Sequence, residues 1–157
     1  MTRADNAEKM FKEEGYNCAQ SVVGSFLDKM DLPKDVALKI ASPFGGGMGR
    51  LREVCGAVSG IWIVLGYVEG YDDAADKKGK AEVYKKVQTL AKKFRDQTGS
   101  IICRDLLNTE DAKDTSPIPS ERTAEYYKKR SCVDMVRLAT TILDEYFEEQ
   151  NKQSIKE

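Results

Sequence analysis

VCGAVSGIWIVLGYV, residues 54–68, is the longest run without a charged side chain, and Glu53 and Glu69 bound it. A bilayer core needs about twenty apolar residues, so this run of fifteen reads as a buried core helix and not as a membrane span. Gly56 and Gly60 fall one turn apart on one face with Ser59 beside them, which lets a second helix or a bulky group come close. Trp62 and Tyr67 read as core.

Helical spacing continues on both sides of this run. Upstream, Ala7, Met10 and Phe11 share a face of a first short helix that Gly15 stops. Asn17 reads as an N-cap with Gln20 three residues on, a capping box, and Val22, Phe26 and Met30 follow at four-residue steps. Leu32-Pro33 breaks that helix, and Val36, Ala37 and Ile40 carry a third. A glycine-rich loop, Pro43 to Arg50, leads into the core helix. Downstream, residues 73–97 predict a long amphipathic helix with Tyr84, Val87, Ala91 and Phe94 as its apolar stripe. Gly99-Ser100 ends it and opens a short element through Leu107. Residues 108–122, with Pro117 and Pro119, predict a long polar surface loop. A final helix carries Val136, Ala139, Leu143, Tyr146 and Phe147, and residues 150–157 are expected to fray. Strand-like alternation and internal repeats are both lacking. The expected fold is an all-α, single-domain bundle of about six helices over residues 1–157, with a glycine-rich interhelix loop.

Composition narrows the chemistry. The chain has 157 residues, a length that suits one domain able to build its own core, and 41% hydrophobic with 32% charged residues is an ordinary globular mixture. Lys and Arg number 25 against 26 Asp and Glu, and a net charge of −1 gives no broad field for gathering nucleic acid or an acidic membrane. Histidine is absent, which removes Ser-His and Cys-His catalytic pairs, imidazole-ligated zinc and His-ligated haem. The opening MTRADNAEKMFKEEG is charged within three residues and lacks the apolar stretch of a secretory signal, so the expected compartment is the cytoplasm, where structural disulfides are uncommon.

Cys18, Cys55, Cys103 and Cys132 are the only side chains suited both to soft-metal ligation and to two-electron redox chemistry. The gaps between them hold 36, 47 and 28 residues, so no Cys-x-x-Cys knuckle exists. Their places on the expected helices say more: Cys18 at N1 behind Asn17, Cys103 at N3 if Ser100 caps, and Cys132 at N1 if Ser131 caps with Asp134 completing the box. Open backbone N–H groups and the helix dipole there favour thiolate over thiol, and they suit the sulfurs of an anionic cluster equally. Against this stands the ordinary role of free cysteine as a small buried apolar group.

The loop Gly45-Gly46-Gly47-Met48-Gly49-Arg50 fits neither phosphate motif, because Arg50 stands where the third glycine of Gly-x-Gly-x-x-Gly belongs and no Lys-Ser/Thr follows. It is either a flexible backbone that approaches a ligand and offers N–H groups to an anion, with Arg50 nearby, or a tight interhelix turn.

Four blocks together resemble a known family: Gly15-Tyr16-Asn17-Cys18-Ala19-Gln20-Ser21-Val22, Phe44 to Arg50, Cys55-Gly56-Ala57-Val58-Ser59-Gly60, and Cys103-Arg104-Asp105-Leu106-Leu107 with a later Cys132. The chain is similar to the redox-active family named for its C-GCAxxG-C-C cysteine pattern, from which the central block departs slightly. The resemblance implies a small redox protein, and through the related segment of split-Soret cytochromes it implies an iron–sulfur cluster on Cys18, Cys55, Cys103 and Cys132. Without histidine, the haem part of that comparison does not carry over. Three functions follow as expectations. The first is electron transfer through a four-cysteine cluster, with the Gly45, Gly46, Gly47, Gly49, Arg50 and Gly56 region bordering it and a redox protein as partner; zinc on the same ligands, or no metal, are the alternatives. The second is metal-free thiol–disulfide exchange with Cys18 as nucleophile. The third is a helical interaction module with inert cysteines. A homodimer is among the arrangements left open.

Overall fold

The computed structural model describes residues 1–107 and 109–156. Among them stand eight helices and no strand: α1 Arg3–Lys12, α2 Cys18–Gly24, α3 Lys34–Ala41, α4 Gly56–Glu69, α5 Lys77–Thr98, α6 Cys103–Leu107, α7 Ala124–Lys129 and α8 Cys132–Lys156. Six of these have seven residues or more, and the fold is one all-α domain. No described helix is long and apolar enough to cross a membrane.

The uncharged run becomes α4, and its first half is buried on nearly every side: Gly56, Ala57, Val58, Ser59, Gly60, Ile61, Val64 and Leu65. Helix α2 lies closest against it, and α8 packs on it as well. The close approach requires Gly60, because a Cβ there would stand 2.8 Å from the Val22 Cβ. Tyr67, expected in the core, is exposed, and its hydroxyl accepts from the Asp31 N–H at 3.0 Å.

Several expected elements differ in detail. The helix carrying Val22 stops at Gly24, and a 3₁₀ turn over Leu27–Lys29 brings Phe26 and Met30 into the core by a tighter path. In α3 the buried face is Ala37, Leu38 and Ala41, one residue round from the predicted stripe, so Val36 and Ile40 are exposed. Helix α5 begins at Lys77, where Asp76 caps it through the Gly79 N–H at 2.8 Å, and its buried residues are Leu90, Ala91 and Phe94, with Tyr84 outside. The predicted 108–122 loop contains a 3₁₀ turn, Glu110–Lys113, and its first residue, Asn108, lies outside the described residues. The expected frayed tail is helical to Lys156, leaving Glu157 outside the described residues. The remaining core joins Phe11, Phe26, Phe94, Val136, Leu143 and Phe147, with the Phe26 and Phe147 rings edge to face at 6.0 Å. Helices α1 and α8 are also stitched by Arg137 to Asp5 and Glu8 and by Arg3 to Asp144.

Candidate functional site

Each cysteine sits at the first turn of a helix, and a capping or pairing contact holds each start in place. Cys18 is N1 of α2 behind a complete capping box: Asn17 Oδ1 accepts from the Gln20 N–H at 2.9 Å, and Gln20 Oε1 accepts from the Asn17 N–H at 3.1 Å. The Asn17 amide also donates to the Ser42 carbonyl, tying this helix start to the glycine turn. Asn17→Ala is therefore expected to cost about 1 kcal/mol or somewhat more in urea unfolding; an unchanged midpoint would contradict the capping role.

Cys55 is the N-cap residue of α4, and Cys103 is N1 of α6 in place of the predicted N3. A short antiparallel pairing sets these two starts side by side, with Val54 opposite Ile102, the Cys55 N–H on the Ile101 carbonyl at 2.7 Å and the Cys103 N–H on the Glu53 carbonyl at 2.6 Å. Ser100 still serves the start of α6, its hydroxyl accepting from the Ile102 N–H. Cys132 is N1 of α8 as expected, but the Ser131 hydroxyl donates to the Leu106 carbonyl at 3.0 Å and so links α8 to α6.

The glycine segment is a turn wound in the left-handed sense. Gly46, Gly47, Met48, Gly49 and Arg50 have φ of 68, 70, 68, 60 and 67°, and Arg52 follows at 63°. Left-handed backbone costs an L-residue about 1–2 kcal/mol, so Met48, Arg50 and Arg52 carry strain that the surrounding structure enforces. Gly47 has no freedom to be anything larger: a Cβ there would stand 2.5 Å from the Cys103 Cβ and 2.9 Å from the Arg52 Cα. At Gly56 a Cβ would meet the Phe44 carbonyl oxygen at 2.8 Å and the Cys18 Cβ at 3.2 Å.

These elements close around one cavity, of about 520 Å³ including its open mouth, lined by all four cysteines together with Gly46, Gly47 and Gly56. The other predicted residues, Gly45, Gly49 and Arg50, line an adjoining cavity instead. Among the described residues no three Cys, Asp or Glu side chains are gathered tightly enough to hold one metal ion, so the thiols are spread around the cavity wall. Phe11, Leu106, Leu107 and Met135 supply apolar wall between them.

The sequence analysis missed three further wall residues, Arg52, Arg122 and Arg130. Arg52 is only 2% exposed; its Nη1 donates to Cys103 Sγ at 3.9 Å and its Nε to the Asp114 carbonyl at 3.0 Å, while Nη2 is buried without a partner. Arg130 pairs with Asp111 at 2.9 Å and lies 4.4 Å over the Tyr126 ring. Arg122 spans the Phe11 and Tyr16 carbonyls and stacks 4.2 Å over Phe11. A buried guanidinium is expensive unless an anion answers it; Asp111 answers Arg130, whereas Arg52 has only main-chain and thiol partners among the described residues.

The thiols respond unequally. Cys132 is drawn down to about 7, first by the hydrogen bond that Cys18 donates and then by the charges of Arg130, Arg122 and Arg52, against its own burial. The same contact with Cys132, and then burial, pushes the Cys18 thiol well up. Burial raises Cys55 to about 12 despite the opposing N–H groups of Ala57 and Val58, and burial also raises Cys103 although Arg52 works against it. By this asymmetry Cys132, and not the Cys18 favoured from the sequence, is the thiol nearer to thiolate at neutral pH. In the metal-free protein, iodoacetamide should modify Cys132 first, at a rate rising as pH passes about 7, with Cys55 silent far into alkali. Mapping the labelled cysteines by mass spectrometry across pH checks this; Cys18 reacting first would reverse the assignment.

With four cysteines around one cavity, the family comparison becomes specific. The model of the family described as "Putative redox-active protein (C_GCAxxG_C_C)" matches residues 16–146. The chain belongs to this family. The C_GCAxxG_C_C match covers Cys18, Cys55, Cys103 and Cys132 and the helix starts on which they sit. No curated protein and no solved structure matches the chain significantly. In the C_GCAxxG_C_C name the central block reads Gly-Cys-Ala, whereas this chain has Cys55-Gly56-Ala57. That order puts the thiol on the N-cap and leaves position 56, which faces Cys18, without a side chain.

Proposed function

We propose that the four cysteines work as one redox centre and that their cavity takes an iron–sulfur cluster. The observation that carries this is four thiols on four helix starts around one cavity whose wall also holds buried guanidinium groups. The residues fit an anionic cluster of that kind: a four-thiol donor set around one cavity and an unpartnered buried Arg52 Nη2 in its wall. When bound, such a cluster supplies one-electron exchange with a redox partner protein.

The chain's own residues do the rest. Cys18, Cys55, Cys103 and Cys132 hold the group. The open N–H groups of their helices and the charges of Arg52, Arg122 and Arg130 favour sulfur in its anionic form. Phe11, Leu106, Leu107 and Met135 limit water on the inner side. Alkylation after anaerobic reconstitution tests the reading: all four cysteines should become protected together. Protection of two only would refute it.

One observation favours a second reading. Cys18 and Cys132 line the same cavity, and the proton they compete for rests on Cys18 with Cys132 the better thiolate, which suits a metal-free dithiol. In that chemistry an oxidising disulfide is attacked by Cys132, Cys18 resolves the mixed disulfide, and the oxidant leaves as two thiols.

A further inference from the structure

Beside the cysteine cavity, and sharing its Arg52, Arg122, Tyr126 and Arg130 wall, lies a second and more open cavity with about 850 Å³ of empty space. Arg50 joins the other three there, so four arginines line one chamber, whose wall also includes Pro117, Pro119 and Ser120. Among the described residues two carboxylates answer them: Asp114 pairs with Arg50 at 3.1 Å and Asp111 with Arg130 at 2.9 Å. Arg52 and Arg122 have no carboxylate partner among the described residues; they donate to main-chain carbonyls, to Cys103 Sγ and to the Tyr127 hydroxyl. Two guanidinium donors, Arg50 Nε and Arg52 Nη2, are buried with no acceptor among the described residues. A buried donor without an acceptor costs free energy, and the planar fork of arginine matches carboxylate, sulfate or phosphate oxygens better than it matches anything now near these atoms.

We propose that this arginine-lined chamber binds a small dianionic oxyanion. Four guanidinium groups against two carboxylates among the described residues leave the wall cationic, and the two free donors call for a ligand with paired anionic oxygens. The volume admits a compact inorganic oxyanion or a short dicarboxylate, and both offer the paired oxygens that the free donors require. Asp114 already occupies part of Arg50, so it acts as an internal competitor. The inference goes beyond the redox reading, because the chamber belongs to the folded chain whether or not the cysteines hold a metal.

Calorimetric titration of the full-length, metal-free chain with sulfate and with malonate, against chloride at matched ionic strength, tests it. Saturable one-site binding of a dianion that chloride does not reproduce is the expected result. Arg50→Gln should weaken it by about tenfold or more, since a charge-assisted donor is lost. Asp114→Asn should tighten it severalfold by freeing Arg50. These opposite signs separate a binding role from a merely structural one, which would move both variants the same way. Stronger binding of sulfate assigns an inorganic oxyanion, and stronger binding of malonate a dicarboxylate. Absence of saturable binding for both dianions overturns the proposal. So does Asp114→Asn leaving binding unchanged or weaker in a protein whose circular dichroism is native, and this second variant decides the matter even if Arg50→Gln fails to fold.

Discussion

Serine in place of any one of Cys18, Cys55, Cys103 or Cys132 is expected to abolish retention of an iron–sulfur cluster, and to do so alike at all four positions. The reason is the ligand count: four thiols line the cavity, and the loss of one leaves a cluster without its full thiolate set. Iron and acid-labile sulfide measured after anaerobic reconstitution give the readout, with circular dichroism to show that each variant folds. Cys55 is the demanding case. It is 6% exposed, and a serine hydroxyl left unsatisfied there costs about 1–3 kcal/mol, so Cys55→Ala should accompany it. The pattern across the set separates the two redox readings. A metal-free dithiol needs only Cys18 and Cys132, and in that case Cys55→Ser and Cys103→Ser would keep a full redox-dependent change in thiol count.

Gly47→Ala should destabilise the fold by about 3 kcal/mol and disturb Cys103 with it. Two costs combine. A non-glycine residue at φ +70° costs about 1–2 kcal/mol, and forcing a methyl group against packed neighbours costs about 1–3 kcal/mol more. The neighbours give little, since they include the Arg52 and Glu53 main chain at 2.9 Å. Gly99 supplies the control: its φ is +91°, but nothing lies within 4 Å of a Cβ there, so Gly99→Ala should show the backbone cost alone. Urea unfolding of the two variants measures the difference. Equal losses would mean that the turn does not press on the Cys103 helix start as described.

What the sequence made legible follows from how local each signal is. The Asn17–Gln20 capping box, the Gly15 stop and the uncharged run of α4 depend on neighbours within one or two turns, and all three were readable. The α3 stripe, predicted as Val36, Ala37 and Ile40, lies one residue further round at Ala37, Leu38 and Ala41, because packing against α2 sets the rotation of this short helix and leaves no local mark. Cys103 moved from N3 to N1 because its helix start is fixed by pairing with residues 52–55, a long-range contact that leaves no local mark. The glycine run looked like a flexible loop; nothing in its composition tells that five successive residues wind left-handed with Met48 and Arg50 included. The arginines were invisible for the same reason. Arg122 ends a polar, proline-bearing stretch that reads as surface, and it becomes a wall residue because it reaches the Phe11 and Tyr16 carbonyls at the α1–α2 junction; Arg130 follows α7 and reaches the same cavity.

The central claim, that the four cysteines form one cluster-holding redox centre, is tested most directly by reconstituting the unaltered chain anaerobically with iron and sulfide and recording its absorption spectrum with metal and sulfide analysis. The account predicts a coloured protein with charge-transfer absorption in the visible, iron and acid-labile sulfide in equal amounts, and bleaching on reduction. A colourless protein with neither iron nor sulfide would contradict it, and zinc in the same analysis would assign the cysteines to a redox-inert metal instead.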